Sequence, residues 1–111
     1  DKYILGTSKT VLPADLSPEQ TSEVQRLAVA CYQAVECEGM ARVDFLLETA
    51  TGKFFINEIN TIPGLTSISM YPKMWEAAGL PYAALIDRLI QLALERHQER
   101  QTTAYRIDAG R

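Results

Sequence analysis

Met40-Ala41-Arg42-Val43-Asp44-Phe45-Leu46-Leu47-Glu48, followed after Ala50-Thr51-Gly52 by Lys53-Phe54-Phe55-Ile56-Asn57-Glu58-Ile59, sets two β-rich runs on either side of a glycine-closed turn. This predicts an antiparallel β-hairpin whose three-residue loop ends in a left-handed glycine with a bulge. Side chains alternate along a strand, so Arg42 and Asp44 share one face of the first strand, and Glu58 and Asn60 share one face of the second. With that loop Glu48 opposes Phe54, which brings Asp44 opposite Glu58 and Arg42 opposite Asn60, all four pointing one way. Ala41, Val43, Phe45 and Leu47, with Phe55 and Ile59, then form the buried face. A shift of two residues keeps the quartet together, whereas a shift of one breaks it.

Two carboxylates facing each other at about 4 Å repel by roughly 1 kcal/mol in water and about 4 kcal/mol at an effective dielectric near 20. A counter-charge is needed. Arg42 can supply it, but Asp44, Glu58 and Asn60 are also an all-oxygen donor set that suits Mg²⁺ or Mn²⁺ and suits zinc poorly. Spacing alone favours the plainer reading, a surface ion pair between Arg42 and its acidic neighbours with Asn60 starting a turn. The next segment, Asn60-Thr61-Ile62-Pro63-Gly64, shifts the balance. Gly64 lets backbone N–H groups approach a developing anion, and Thr66, Ser67 and Ser69 add hydroxyl donors, so the segment reads as a substrate clamp beside a metal site.

Upstream, Ser17-Pro18-Glu19-Gln20 carries a capping hydroxyl, a first-turn proline and a reciprocal Gln, so a helix is expected to start there. Val24, Leu27, Ala28, Cys31 and Val35 make its apolar face, with Gly39 as its left-handed stop. Downstream, a short helix is expected from about Pro72 to Ala78, ended by Gly79, with Met70, Met74 and Trp75 in the core. Tyr82, Leu85, Ile86, Leu89, Ile90, Leu92 and Ala93 form the stripe of a final helix that covers the sheet. Residues 1–100 then form one α+β unit, an antiparallel hairpin packed against helices, and residues 101–111, without an apolar period, form a flexible tail.

At 111 residues, 47% hydrophobic and 23% charged, the chain has room for one compact unit. A net charge of −3 disfavours nucleic acid as a partner. The sequence has no bilayer-spanning apolar run and no signal-peptide pattern, so a cytoplasmic protein without a membrane partner is expected. Cys31 and Cys37 fit neither a zinc nor a redox motif and read as reduced packing residues. His97 sits among charged residues near an expected helix end and reads as incidental. With no second histidine, hydrolytic triads and His-rich metal sites are poorly supported. A start at Asp1 suggests a piece cut from something longer, which would leave an apolar face exposed.

Three strings, Gly39-Met40-Ala41-Arg42-Val43-Asp44-Phe45, Asn57-Glu58-Ile59-Asn60-Thr61-Ile62-Pro63-Gly64-Leu65-Thr66 and Ser69-Met70-Tyr71-Pro72, resemble the C-terminal part of D-alanine:D-alanine ligases of the ATP-grasp superfamily. The likeness runs from about Lys2 to His97. It implies the C-terminal part of an ATP-grasp domain. By matched position, Asp44 resembles the ligand of one Mg²⁺, Asn60 that of the other, and Glu58 the bridge between them, with Mn²⁺ as a substitute. Arg42 resembles the arginine that holds the transferring phosphoryl group. Gly64 resembles a backbone donor at the tetrahedral centre, and Ser69 with Met70 the site of the second D-alanine carboxylate. Lys2 and Tyr3 resemble the end of the ω-loop, the lysine reaching ATP phosphate and the tyrosine near the second substrate.

The resemblance implies ATP-dependent ligation of two D-alanines through an acyl phosphate, for peptidoglycan. ATP and D-alanine are then the small-molecule partners, the missing N-terminal and central ligase domains complete the site, and the full-length protein is a homodimer. A lone copy of these residues is expected to be a poor catalyst. The alternatives are a related D-alanine:D-lactate or D-alanine:D-serine ligase, against whose D-lactate form Tyr3 speaks, or a non-catalytic cation-binding module.

Overall fold

The computed structural model describes residues 9–109. The elements run α1 (Pro18–Ala34), β1 (Arg42–Glu48), β2 (Lys53–Asn60), α2 (Met70–Ala77) and α3 (Tyr82–Ala109). The strands pair as one antiparallel sheet, α1 packs on the hairpin and α2 packs on α3, an α+β arrangement.

Helix α1 begins as its sequence dictates. Ser17 Oγ accepts the Gln20 N–H at 3.1 Å and Gln20 Oε1 accepts the Ser17 N–H at 3.0 Å, a complete capping box ahead of Pro18. Val24, Leu27, Ala28 and Cys31 are half-buried, while Val35 is exposed. The helix ends well before Gly39. The Cys37 N–H reaches Tyr32 O and the Glu36 N–H reaches Gln33 O, both at 3.0 Å, so the last carbonyls are satisfied by a Schellman turn. Its left-handed position is taken by Glu36, at φ 54°, rather than by a glycine. Gly39, at φ 73°, instead bends the chain into β1, where its carbonyl accepts the Tyr32 hydroxyl at 2.9 Å.

The hairpin has the expected register at its open end and a different one at its turn. Arg42 pairs with Asn60, Val43 with Ile59 and Asp44 with Glu58. An irregularity between Asp44 and Phe45 leaves Asn57 as an extra residue, after which Phe45 pairs with Ile56, Leu47 with Phe54 and Glu48 with Lys53. Glu48 therefore faces Lys53 rather than Phe54. Because one residue of slip exchanges the faces of a strand, Phe54 replaces Phe55 on the helix-covered side. Its ring meets Phe45 edge-on at 6.2 Å, whereas Phe55 is exposed beneath Lys53 Nζ.

Helix α2 starts two residues before Pro72, which lies in its first turn, where a missing N–H costs nothing. Gly79, at φ 100°, closes it as expected, with the Leu80 N–H on Trp75 O. Met74 and Trp75, expected in the core, are 45% and 42% exposed. Tyr71 and Pro72, in its first turn, are buried instead. Leu85, 2% exposed, is the best-buried side chain of α3, flanked by half-buried Ile86, Leu89 and Leu92. The helix continues through Gln101 to Ala109, past the end of its apolar stripe. Loss of the apolar period ends the packing face, while Glu, Arg, Gln and Ala sustain the helix itself. His97 is consequently exposed in mid-helix, far from either end.

No single helix among the described residues is long and apolar enough to cross a membrane. Both cysteines are free. Val29, Met74 and Trp75 line an apolar groove of 640 Å³ between α1 and α2. The cross-strand partners Leu46 and Phe55 leave a further apolar surface open on one face of the hairpin, and Ile56 is exposed on the other.

Candidate functional site

The sheet face opposite α1 carries Arg42, Asp44, Glu58 and Asn60 together, at the hairpin end that the bulge leaves in register. Arg42 Nε donates to Asp44 Oδ1 at 2.8 Å and its Nη2 donates to Oδ2 at 2.9 Å, a bidentate pair. The same Nη2 stands 3.8 Å from Glu58 Oε1, so one guanidinium serves two carboxylates. Those hydrogen bonds hold the Asp44 carboxyl below the usual carboxylate range against an opposing push from burial, and raise Arg42 in turn. Arg42 and Asp44 are a quarter to a third exposed, and Glu58 is more open, at 58%. Asn60 Oδ1 accepts the Ile62 N–H at 3.0 Å, an Asx turn that directs the chain into the loop. The amide oxygen keeps a second lone pair for another partner.

The ion pair and turn of the plainer reading are thus present, on the same residues that form the oxygen donor set. The described residues contain no group of three or more His, Cys, Asp or Glu side chains placed to hold a metal. That excludes a dedicated carboxylate cage among them. Mg²⁺ is commonly held by one or two carboxylates, with waters and substrate phosphates completing the octahedron. Two carboxylates and an amide oxygen fit that pattern.

The loop after β2 is shaped by its own polar groups. The Thr66 N–H donates to Ser69 Oγ at 3.0 Å, the two hydroxyls lie 2.6 Å apart, and the Ser69 N–H returns to Thr66 O at 3.1 Å. Ser69 Oγ lies 2.8 Å from where a Cβ on Gly64 would sit. Gly64 is therefore required for close approach rather than for its dihedral angle, and the space it frees holds the serine hydroxyl. Ser69 is the N-cap of α2 but makes no side-chain cap bond, so the N–H groups of the first turn, beginning with Met70, stay available at the positive end of the helix dipole. Pro63 is buried beneath the loop and Met70 is half-buried. The Tyr82 hydroxyl donates to Leu65 O at 2.8 Å, a contact that nothing in the local sequence announces. Lys2 and Tyr3 lie outside the described residues.

Residues 1–91 match a family described as D-ala D-ala ligase C-terminus. The chain is 62% identical, over 95% of its length, to a D-alanine–D-alanine ligase of Solibacter usitatus. Among solved structures, the D-alanine–D-alanine ligase of Coxiella burnetii superposes with a TM-score of 0.86 at 48% identity, covering 96% of this chain. That of Bacillus anthracis complexed with ATP gives 0.71 at 36% identity over 78% of this chain. The chain spans only 32%, 31% and 30%, respectively, of those three proteins.

Proposed function

Since the chain belongs to the D-alanine–D-alanine ligase family, we propose that it supplies the metal, phosphate and acceptor portion of an enzyme that joins two D-alanines at the expense of ATP. The observation that carries this reading is the shared face of Arg42, Asp44, Glu58 and Asn60 running straight into the Gly64–Ser69 loop.

Asp44, Glu58 and Asn60 would hold the divalent ions, two per site. Bound Mg²⁺ or Mn²⁺ neutralises phosphate charge and aligns the transferring group. Arg42 is close enough to both carboxylates to leave Asp44 and turn towards the γ-phosphoryl group, keeping its charge in the site throughout. One D-alanine carboxylate oxygen attacks that phosphorus and ADP leaves. The amine of the second D-alanine then attacks the acyl carbon, and phosphate departs as the peptide bond forms. The Gly64 backbone donates to the oxyanion of that tetrahedral centre. Ser69 and the Met70 N–H receive the carboxylate of the second D-alanine, a role suited to an uncapped helix start. Lys2 and Tyr3 would complete the phosphate and acceptor sides. The dipeptide would feed peptidoglycan synthesis, and dependence on ATP puts the reaction in the cytoplasm. The rest of the ligase supplies the remaining walls, and the whole protein is proposed to be a homodimer.

The test is direct. The complete enzyme carrying this chain, given ATP, Mg²⁺ and D-alanine, is expected to release D-alanyl-D-alanine, ADP and phosphate in equal amounts. Asp44→Asn should abolish turnover. Absence of dipeptide, or a preference for D-lactate or D-serine as acceptor, overturns the assignment.

A further inference from the structure

The hydrogen bonds inside the loop between β2 and α2 fix its internal shape, but they do not fix where it sits relative to the rest of the protein. The Asn60–Ile62, Thr66–Ser69 and Ser69–Thr66 contacts all begin and end within residues 60–69. Tyr82 differs. It is the first residue of α3, three positions before Leu85, whose 2% exposure marks the firmest packing in the described chain. Its hydroxyl reaches back 17 residues to the Leu65 carbonyl at 2.8 Å.

The Leu65 carbonyl and the Thr66 N–H belong to one peptide unit, and a trans peptide is a rigid plane in which the two point in opposite directions. Fixing the carbonyl on one side therefore aims the N–H on the other, and that N–H donates to Ser69 Oγ at 3.0 Å. The relay runs from the Tyr82 hydroxyl through the 65–66 peptide to the Ser69 hydroxyl, which is also held by Thr66 Oγ1 and seated in the space left by Gly64. A donor on the carbonyl also polarises the peptide, so its N–H becomes a better donor.

We propose that Tyr82 is a positioning residue, aiming the Ser69 hydroxyl at the carboxylate of the acceptor amino acid through the 65–66 peptide. This rests on the ligase reading. In this role Tyr82 would act through the 65–66 peptide rather than on the substrate itself.

The test is Tyr82→Phe in the complete enzyme, which keeps the ring and removes the hydroxyl. A neutral hydrogen bond is worth about fivefold in an equilibrium constant. KM for the acceptor D-alanine should therefore rise about fivefold, with kcat, KM for ATP and the thermal midpoint unchanged. Amide hydrogen exchange across residues 61–69 should quicken by a similar factor, while exchange in α3 stays the same. Tyr82→Ala should add a fall in thermal stability to the same acceptor effect. An unchanged acceptor KM overturns the proposal, as does an equal loss over ATP and both amino acids. If the wild-type enzyme makes no dipeptide, the ligase reading fails, and the exchange measurement alone decides the tie: unchanged exchange at 61–69 overturns it.

Discussion

Replacing Gly64 by alanine tests the packing of the clamp most sharply. The added Cβ would lie 2.8 Å from Ser69 Oγ and 3.5 Å from Ser69 Cβ, so only the hydroxyl is in the way. That hydroxyl cannot turn aside without breaking its contacts to Thr66 at 2.6 and 3.0 Å. Two such hydrogen bonds are worth about 2 kcal/mol, within the usual range for overpacking. Local opening of the loop should therefore become about 30-fold more frequent, since 1.4 kcal/mol is a factor of ten. In a Ser69→Ala background the obstructing atom and its bonds are already gone, and the same substitution should cost under about 0.5 kcal/mol. The assay is amide hydrogen exchange of segment 61–69 in the wild type, both single variants and the double variant. Additive effects of the two substitutions would refute the account of why glycine is needed there.

Three other outcomes follow from particular contacts. Phe54→Ala should destabilise the protein by about 2 kcal/mol and Phe55→Ala by less than about 1 kcal/mol, measured by denaturant unfolding, because the bulge turns only Phe54 towards Phe45. Glu36→Gly should stabilise by about 1 kcal/mol in the same experiment, by relieving a side chain held at positive φ. Asp44, whose folded pKa is depressed by Arg42, contributes stability above the ordinary carboxylate range near pH 4 and loses it as pH falls through the lower folded value. Carboxyl NMR should then show Asp44 titrating below the usual range in the wild type and closer to it in Arg42→Ala.

The sequence was most legible where a local rule had a single solution. The Ser17–Gln20 capping box and the Gly79 helix stop each followed from spacing, whereas Asp44 meets Glu58 as expected only because the extra residue at Asn57 offsets a turn one residue longer than expected. It was least legible where one extra residue or a distant partner decided the outcome. Asn57 reads like any polar strand residue, and with Phe54 and Phe55 adjacent the aromatic pattern fits either face, so the bulge left no trace. Glu36 ends α1 because the Schellman hydrogen bonds outweigh the strain of its left-handed backbone, a balance that no propensity records. Met74 and Trp75 have the composition of core residues, yet no described element covers them. Tyr82 is counted with the apolar stripe of α3 until its hydroxyl is seen on Leu65, since a contact 17 residues back has no local signature.

The claim on which the rest depends is that Asp44, Glu58 and Asn60 act together as oxygen ligands for divalent cations in the presence of nucleotide. Electron paramagnetic resonance of Mn²⁺, titrated into the complete enzyme with a non-hydrolysable ATP analogue, measures this without catalysis. Two bound ions per chain are expected in the wild type, with loss of tight binding in Asp44→Asn and Glu58→Gln and weakening in Asn60→Ala. Mn²⁺ binding that is the same in all four proteins would contradict it.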